Sequence, residues 1–210
     1  RWLGGVAVGV ITAFAVVMAI WMAGGYRADG WLLAWASPAA LGSIGLLLLC
    51  FAVQAGVEEI LFRGWLMSVL GREFNTVLAV LITSVVFTAL HFGRQTPWHE
   101  SALIFLFSLF ACCWALRAGN IWGVMGWHTG WNWLLAVGFA VPVTGLDAGL
   151  PALLVKLLPQ GSPFLHGGAQ GPEGSALCGL FFVLGCAWWL LRGRTRAVAQ
   201  IEMNYRNELR

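Results

Sequence analysis

The amino-acid sequence predicts an all-α protein, a polytopic bundle of about six membrane-spanning helices with both termini in the cytoplasm. Three observations predict this class. Hydrophobic residues make up 60% of the 210 residues and charged residues only 10%, a balance far from that of soluble domains. The hydrophobic residues gather in runs of the length that crosses a bilayer. Lysine and arginine are distributed unevenly over the segments between these runs, which predicts the orientation.

Six apolar segments are the predicted spans, and we treat residues 1–210 as a single transmembrane domain. The first begins at Trp2 and ends near Gly24. It is too long for a signal peptide and lacks a small-residue cleavage pattern, so we expect it to stay in the mature protein. The second begins at Pro38, which suits the first turn of a helix, and ends near Leu70 with a glycine C-cap at Gly71. The remaining spans are Thr76–Phe92, Ser101–Leu116, Ile121 to about Val141, and Ser175–Leu191.

The connections between the spans differ in length. Tyr26–Gly30 is predicted to be a short polar turn, and Trp31–Ala36 to lie in the membrane interface. The longest connection, residues 142–174, is rich in proline and glycine and contains one short apolar piece, Ala152–Leu158, that is far too short to span. We expect that piece to be an interfacial or re-entrant segment. The loop as a whole is either a lid over a site or an ordinary connector.

Positive charges predict the orientation of the bundle. With Arg63 left out as intramembrane, eight lysine and arginine residues fall on one side of the membrane and three on the other. The side with the excess is expected to be cytoplasmic. Five of the eight lie in residues 192–210, a predicted basic tail, so the net charge of +3 reflects topology and not nucleic-acid binding. All five cysteines fall inside apolar runs, which predicts small packing residues and no disulfide framework.

Two adjacent glutamates and an arginine interrupt the second span. Each ionisable group at membrane depth costs at least a few kcal/mol, so such groups normally face a protein interior or a water-filled cavity and indicate function. Glu59 and Arg63 are four residues apart, with the glutamate on the N-terminal side, which favours an ion pair on a helix. Glu58 points about 100° away around the helix axis. We therefore predict that Arg63 neutralises Glu59 and that Glu58 remains free for chemistry.

Polar residues also lie inside two other predicted spans. Measured from the cytoplasmic helix ends, Glu58 lies about 20 Å deep, His91 about 23 Å and Asn132 about 17 Å. His128 and Asn132 are four residues apart and share one helix face, as do Phe87 and His91. A single intramembrane histidine is most often a packing residue, whereas two histidines facing a carboxylate pair favour a site. Groups from three helices can therefore meet at a similar depth.

These positions form three motifs. They are Glu-Glu-x-x-x-Arg at residues 58–63, Phe-x-x-x-His at residues 87–91 and His-x-x-x-Asn at residues 128–132. In this order they resemble the three motifs of the CPBP intramembrane protease family, also called the CAAX protease or Abi family, which includes Rce1-like prenyl-protein endopeptidases. Each motif alone is weak, but the three in order are specific. The resemblance covers roughly residues 53–137.

The resemblance implies an intramembrane endopeptidase of glutamic type that needs no cofactor. Hydrolysis of a peptide bond requires an activated water and a group that stabilises the oxyanion. By resemblance, Glu58 is the general base on the water and His91 assists it. His128 and Asn132 hold the scissile carbonyl oxygen. The supporting residues are Glu59, Arg63 and Phe87, of which the first two orient the motif helix.

Other chemistries fit the sequence less well, and some stay open. The only aspartates, Asp29 and Asp147, are in loops, so there is no pair of intramembrane aspartates. A zinc-dependent hydrolase using His91, His128 and a glutamate is the strongest alternative, because two histidines and one carboxylate can bind zinc with an open fourth position. A non-proteolytic scaffold or immunity protein, or a transporter that relays protons, belongs to a different class and also remains open.

The expected partners follow from the setting and the resemblance. We expect an integral protein of the bacterial inner (cytoplasmic) membrane that acts on a membrane-associated protein or peptide within the lipid bilayer. We expect no nucleic-acid partner, and the sequence does not predict the oligomeric state.

Overall fold

The computed structural model describes residues 1–91 and 98–191. The predicted span end at Phe92, the loop charge Arg94 and the basic tail at residues 192–210 lie outside the described residues. Most of the described chain is helical. The helices are α1 (Trp2–Met22), α2 (Pro38–Glu59), α3 (Met67–Glu73), α4 (Thr76–Leu90), α5 (Trp98–Ala118), α6 (Trp122–Trp133), α7 (Pro163–His166) and α8 (Ala176–Leu191).

The helical class and the membrane setting agree with the prediction. By length and composition, three described helical segments can cross a membrane: Trp2–Met22, Pro38–Glu73 and Trp98–Ala118. Helices α4 and α8 are apolar but shorter. The predicted span Ile121–Val141 is helix α6 followed by a π-helix, Leu134–Gly138, and its side chains are almost all buried. The chain is an integral membrane protein by these helices, while the number of spans and the orientation of the termini stay predictions.

One long helical rod carries the first motif. Ser37 caps its start, because the side chain accepts a hydrogen bond from the backbone N–H of Ala40 while Pro38 occupies the first turn. The rod runs through α2, a π-helix at Ile60–Leu66 and α3, and it ends at Glu73. The predicted end at Leu70 with a glycine cap at Gly71 is therefore wrong. Gly71 stays helical, as a glycine can within a helix at a cost of about 1 kcal/mol relative to alanine.

Helix α6 lies at the centre of the bundle, and its closest neighbour is α1. The contact is made by Gly5 and Gly9 of α1 and by Gly126 and Gly130 of α6. A Cβ at any of these four positions would lie 2.1–2.3 Å from a backbone carbonyl oxygen of the opposite helix. Small residues four apart are typical of close helix pairs in membranes. Helix α1 therefore supports α6, which carries the third motif, although α1 contains no motif residue.

Two short strands form an antiparallel pair that the sequence did not predict. Strand β1 (Tyr26–Trp31) pairs with β2 (Val155–Pro159), with an irregularity between Ala28 and Gly30. The predicted polar turn is thus a strand, and most of the apolar piece Ala152–Leu158 belongs to its partner strand, so the fold is not entirely α-helical. Each strand is short, and the pairing joins segments more than 120 residues apart, which local sequence patterns do not reveal. The position of this piece relative to the membrane stays a prediction.

The connection at residues 142–174, which we call the cap segment, is tied to the helical bundle. Glu173 accepts a hydrogen bond from the indole N–H of Trp131 at 2.9 Å and another from the backbone N–H of Thr144 at 2.7 Å. The hydroxyl of Tyr26 donates to the carbonyl oxygen of His166 at 2.9 Å. The bonds to Trp131 and Tyr26 join the cap segment to distant parts of the chain, whereas the bond to Thr144 lies within the segment. The segment therefore has a defined position over the end of α6.

Candidate active site

One cavity collects residues from all three motifs. Glu58 reaches it from α2, His91 from the end of α4, and His128 and Asn132 from α6. The three helices whose polar residues were predicted to lie at a similar depth thus line the same cavity. Further walls come from α5 and α8, and the cap segment adds four more lining residues: Thr144, Gln170, Glu173 and Gly174.

Glu59 is the centre of a closed cluster beside this cavity. Its Oε1 atom accepts from Arg63 Nη1 at 3.0 Å and lies 3.0 Å from His128 Nδ1. Arg63 also donates from Nη2 to the hydroxyl of Ser108 on α5 at 2.9 Å. Glu59 is fully buried and Arg63 is only 2% exposed. The predicted ion pair between Glu59 and Arg63 is confirmed, and it extends to His128 and to α5.

Glu58 has different neighbours. Its Oε1 accepts from Gln54 Nε2, one helical turn earlier, and Gln54 Oε1 in turn accepts from Asn132 Nδ2 at 3.2 Å. The second carboxylate oxygen, Oε2, is buried and has no hydrogen-bond partner among the described residues. A buried carboxylate oxygen without a partner is unusual and calls for a ligand or water donor. Glu58 is therefore the carboxylate that faces the cavity with an available oxygen.

The helices that carry the first and third motifs change to π geometry just after their site residues. The π-helix Ile60–Leu66 follows Glu58 and Glu59, and the π-helix Leu134–Gly138 follows Asn132. A regular α-helix was expected at both places. Short π segments inside α-helices frequently occur at functional sites, because the inserted residue widens the turn and redirects the side chains around it. Neither segment has a sequence signal that we recognise.

His91 lies just past the end of α4, which stops at Leu90. Its Nδ1 atom lies 2.7 Å from the carbonyl oxygen of Phe87. A carbonyl oxygen can only accept, so Nδ1 carries the proton. In the neutral ring, Nε2 then has a free lone pair that can accept a proton or a hydrogen bond. The helix end thus orients His91 as a potential base.

Phe87 connects the closed cluster to His91. Its ring stacks on the imidazole of His91, with 4.3 Å between ring centroids. The guanidinium carbon of Arg63 lies 4.6 Å from the centroid of the same ring, a cation–π contact. With 2% of its surface exposed, Phe87 cannot shift without disturbing both neighbours. The motif spacing Phe-x-x-x-His therefore corresponds to a physical contact between its two ends.

The contact of His128 with Glu59 limits what its other nitrogen can do. Glu59 is paired with Arg63, so its carboxylate accepts and His128 Nδ1 carries a proton. A neutral His128 then presents Nε2 as an acceptor. Only a doubly protonated His128 can donate from Nε2 to an oxyanion. The aromatic edge contact with Phe107, with 4.9 Å between ring centroids, holds the imidazole in place.

The described side chains are not arranged as the ligands that the zinc alternative needs. Among residues 1–91 and 98–191, no three histidine, cysteine, aspartate or glutamate side chains are close enough together to hold a metal ion. One nitrogen of His128 is already directed at Glu59. A zinc site built on His91, His128 and a glutamate would therefore require these side chains to move.

Sequence reasoning missed several residues of the cavity and its support. Gln54 was overlooked although it is four residues before Glu58, the spacing of residues that meet on a helix face. Ser108, which binds Arg63, looks like any small residue of an apolar helix. Glu100 and Glu173 lie outside the three motifs, and both line the cavity. Only the spacing of Gln54 offered a signal in the sequence.

The fold and the cavity together define a class: a helical membrane protein whose interior holds carboxylate, imidazole and amide groups from three helices. The family described as type II CAAX prenyl endopeptidase Rce1-like matches residues 39–134. This match covers 96 of the 210 residues and supports the resemblance to the CPBP, or CAAX, family of membrane proteases. It is a family of proteases, which supports a peptidase acting on a peptide or protein substrate in a membrane. No curated protein and no solved structure gives a significant match.

Proposed function

We propose that the protein is an intramembrane endopeptidase of glutamic type, with Glu58, His91, His128 and Asn132 as its catalytic residues. The observation that carries the proposal is that these four residues line one cavity although they come from three helices. The family match over residues 39–134 supports the reaction class. The mechanism below is argued from the chemistry of each side chain.

Glu58 and His91 activate the water. The Oε2 atom of Glu58 has no partner among the described residues and accepts a proton from the water as it attacks. His91 keeps its Nδ1 proton on the carbonyl of Phe87, so its Nε2 atom accepts the second hydrogen of the water and orients it. The hydrogen bond from Gln54 to Oε1 holds the carboxylate in place without occupying Oε2.

His128 and Asn132 stabilise the oxyanion. Asn132 uses one amide hydrogen for Gln54, and the second remains available for the substrate oxygen. His128 donates from Nε2 when both of its nitrogens are protonated, with Nδ1 held on the carboxylate of Glu59. Collapse of the tetrahedral intermediate breaks the C–N bond, and Glu58 returns the proton to the leaving amine. The products are a new carboxyl terminus and a new amino terminus.

The substrate is a membrane-associated protein or peptide in the bacterial inner membrane. The cavity is walled by apolar membrane helices, so an extended segment near the end of a substrate helix or a lipid-anchored tail is the form that can reach it. The cap segment lines the cavity and carries Lys156, so the charge distribution puts the nearer opening on the side away from the cytoplasm, in keeping with site residues about 17–23 Å from the cytoplasmic helix ends. Cleavage is therefore expected nearer the non-cytoplasmic leaflet.

A cleavage assay with the purified full chain in liposomes tests the proposal. Internally quenched peptides anchored by a farnesyl group or by a membrane-spanning helix serve as probes. We expect turnover by the wild type and a loss of at least about 100-fold in Glu58→Ala, in keeping with the usual contribution of a general base. Glu73→Gln, an exposed glutamate on the same helical rod, is the matched control and should retain full activity. Equal activity in Glu58→Ala and the wild type would overturn the assignment.

Metal content separates this mechanism from a zinc hydrolase. If Glu58 and His91 hold the water directly, a chelator leaves turnover unchanged and elemental analysis finds no stoichiometric metal. If zinc holds the water, the purified protein contains about one zinc per chain and chelation silences it. Stoichiometric zinc combined with chelator-sensitive turnover would make the zinc mechanism the better one.

A further inference from the structure

The cavity contains a carboxylate that the proposed reaction does not use. Glu100, in the first turn of α5, lines the cavity and is only 7% exposed. Ionised side chains this deeply buried are normally paired. No ion pair or hydrogen bond of its carboxylate is found within residues 1–91 and 98–191.

The other two glutamates that line the cavity already have roles. Glu58 is bound by Gln54 and serves as the proposed base. Glu173 is fully engaged, because Oε1 accepts from Trp131 and Oε2 accepts from both the N–H and the hydroxyl of Thr144. Glu173 therefore fastens the cap segment, and Glu100 is the carboxylate left without a role.

A second acceptor is found on the same side of the cavity. Gln170 of the cap segment also lines it, and its Oε1 atom is buried with no hydrogen-bond partner among the described residues. The carboxylate of Glu100 reaches the cap segment as well, since its Oε1 atom lies 3.6 Å from where a Cβ of Gly168 would stand. Glu100 and Gln170 thus line the cavity from α5 and from the cap segment, and the Oε1 atom of Gln170 has no hydrogen-bond partner among the described residues.

The charge of the cavity favours one kind of ligand. Among the described lining residues are three glutamates and no lysine or arginine. Arg63, the cation of the first motif, is committed to Glu59 and Ser108. A cationic group that carries several N–H donors would satisfy both Glu100 and Gln170.

We infer that Glu100, with Gln170, forms a specificity site for a lysine or arginine side chain of the substrate close to the bond that is cut. The inference rests on the proposed peptidase function and adds a preference to it. A buried carboxylate gains from a charged partner far more than an exposed one does, because leaving it unpaired costs its full desolvation. A lysine at this position therefore promotes binding, whereas a neutral residue offers Glu100 no charged partner.

The first test measures binding and needs no turnover. The full chain carrying Glu58→Gln is reconstituted in liposomes and titrated with N-acetylated, membrane-anchored peptides that differ only in lysine, norleucine or glutamate at one position. Acetylation removes the α-amino group as an alternative cation. We expect about 10- to 100-fold tighter binding of the best-placed lysine peptide than of its norleucine counterpart. Adding Glu100→Gln should abolish the difference, whereas adding Glu73→Gln should preserve it.

The second test uses variants that keep the site folded but change its charge. Gln170→Glu adds a second carboxylate on the more exposed cap segment and should strengthen the preference for lysine. Glu100→Lys should reverse it in favour of the glutamate peptide. Lysine and norleucine peptides that bind equally at every position would overturn the inference even if cleavage is observed. Conversely, a lysine preference that depends on Glu100 in a protein without turnover would support the site and count against the peptidase.

Discussion

Glu58 and Glu59 are neighbours in the chain, yet they belong to two regions with opposite properties. On the Glu59 side, a fully buried carboxylate is matched by Arg63 and His128, and the cluster reaches α5 through Ser108. On the Glu58 side, one oxygen is bound by Gln54 and the other has no partner among the described residues. Glu59 Oε2 also lacks a partner among the described residues, but Glu59 is fully buried and is not part of the cavity lining, whereas Glu58 presents its free oxygen to the cavity.

The difference shows how a membrane protein can keep a reactive carboxylate in an apolar setting. A buried ion pair usually adds little net stability, but removing one partner is costly because the other charge is left buried. The closed cluster therefore fixes the relative positions of α2, α5 and α6, because a rearrangement would leave a buried charge without its partner. The cluster fixes the position of Glu58 without neutralising its charge. Adjacent residues on a helix can divide these tasks because their side chains point about 100° apart.

The largest expected effect comes from breaking the ion-pair cluster around Glu59. Glu59→Gln removes the charge that pairs with Arg63 and His128, and we expect a destabilisation of about 3–5 kcal/mol. In a chain of this length that corresponds to a fall of roughly 6–20 °C in melting temperature. Glu58→Gln, which disturbs no ion pair, should melt like the wild type. Thermal unfolding in detergent compares the two variants, and equal losses in both would contradict the division between the two sides.

A double variant sharpens the same comparison. If the loss in Glu59→Gln comes from the stranded charge of Arg63, then Glu59→Gln combined with Arg63→Met should be more stable than Glu59→Gln alone. The double-mutant cycle measures that recovery directly. A double variant at least as unstable as the sum of the two singles would mean that Arg63 and Glu59 act independently.

A smaller effect is expected from a change to the hydrogen bonds around Glu58. Gln54→Leu removes the link between Glu58 and Asn132 but leaves the closed cluster intact. The loss of hydrogen bonds that orient the base should lower kcat by about tenfold, equivalent to roughly 1.4 kcal/mol. Melting temperature should change little, and the cleavage assay supplies the readout. Unchanged kcat would mean that Glu58 is positioned by the helix alone.

The smallest effect is expected at an ion pair on the surface. Lys156 Nζ lies 2.9 Å from Asp29 Oδ2 across the two-stranded sheet, and both side chains are partly exposed. Lys156 lowers the pKa of Asp29 through this hydrogen bond and its charge. The resulting stabilisation is present above the unfolded-state pKa and is lost as the pH falls through the folded-state pKa. Lys156→Ala should leave the melting temperature within experimental error, because exposed ion pairs contribute little. A loss comparable to that of Glu59→Gln would contradict the contrast between buried and exposed charges.

Much of the site could be predicted because its spacing is local. Glu59 and Arg63, like Phe87 and His91, are four residues apart, and that spacing produces contact on any helix whatever surrounds it. The meeting of three helices followed from depth in a bilayer, which limits where polar groups can lie. Gln54 obeys the same spacing toward Glu58 and was nevertheless missed, since an uncharged amide is less conspicuous in an apolar run than a carboxylate.

The remaining features depend on distant parts of the chain or on small energy differences. The pairing of Tyr26–Trp31 with Val155–Pro159 needs a partner that no local pattern identifies. The two π-helices depart from α geometry by one residue each, which propensity does not encode. The role of the cap segment depends on Glu173, whose partners Trp131 and Thr144 are far from it in sequence. The close glycine contact between α1 and α6 had a visible signature in the four-residue glycine spacing of both helices.

That glycine contact has a consequence for how the protein is made. Gly5 and Gly126 are about 120 residues apart. At synthesis rates of about 5–20 residues per second, α6 emerges from the ribosome roughly 6–24 s after α1. During this interval α1 is already in the lipid with a stripe of glycine backbone that only α6 will cover. The helix that carries His128 and Asn132 therefore reaches its place after α1, and it docks against a partner helix that is already in the bilayer.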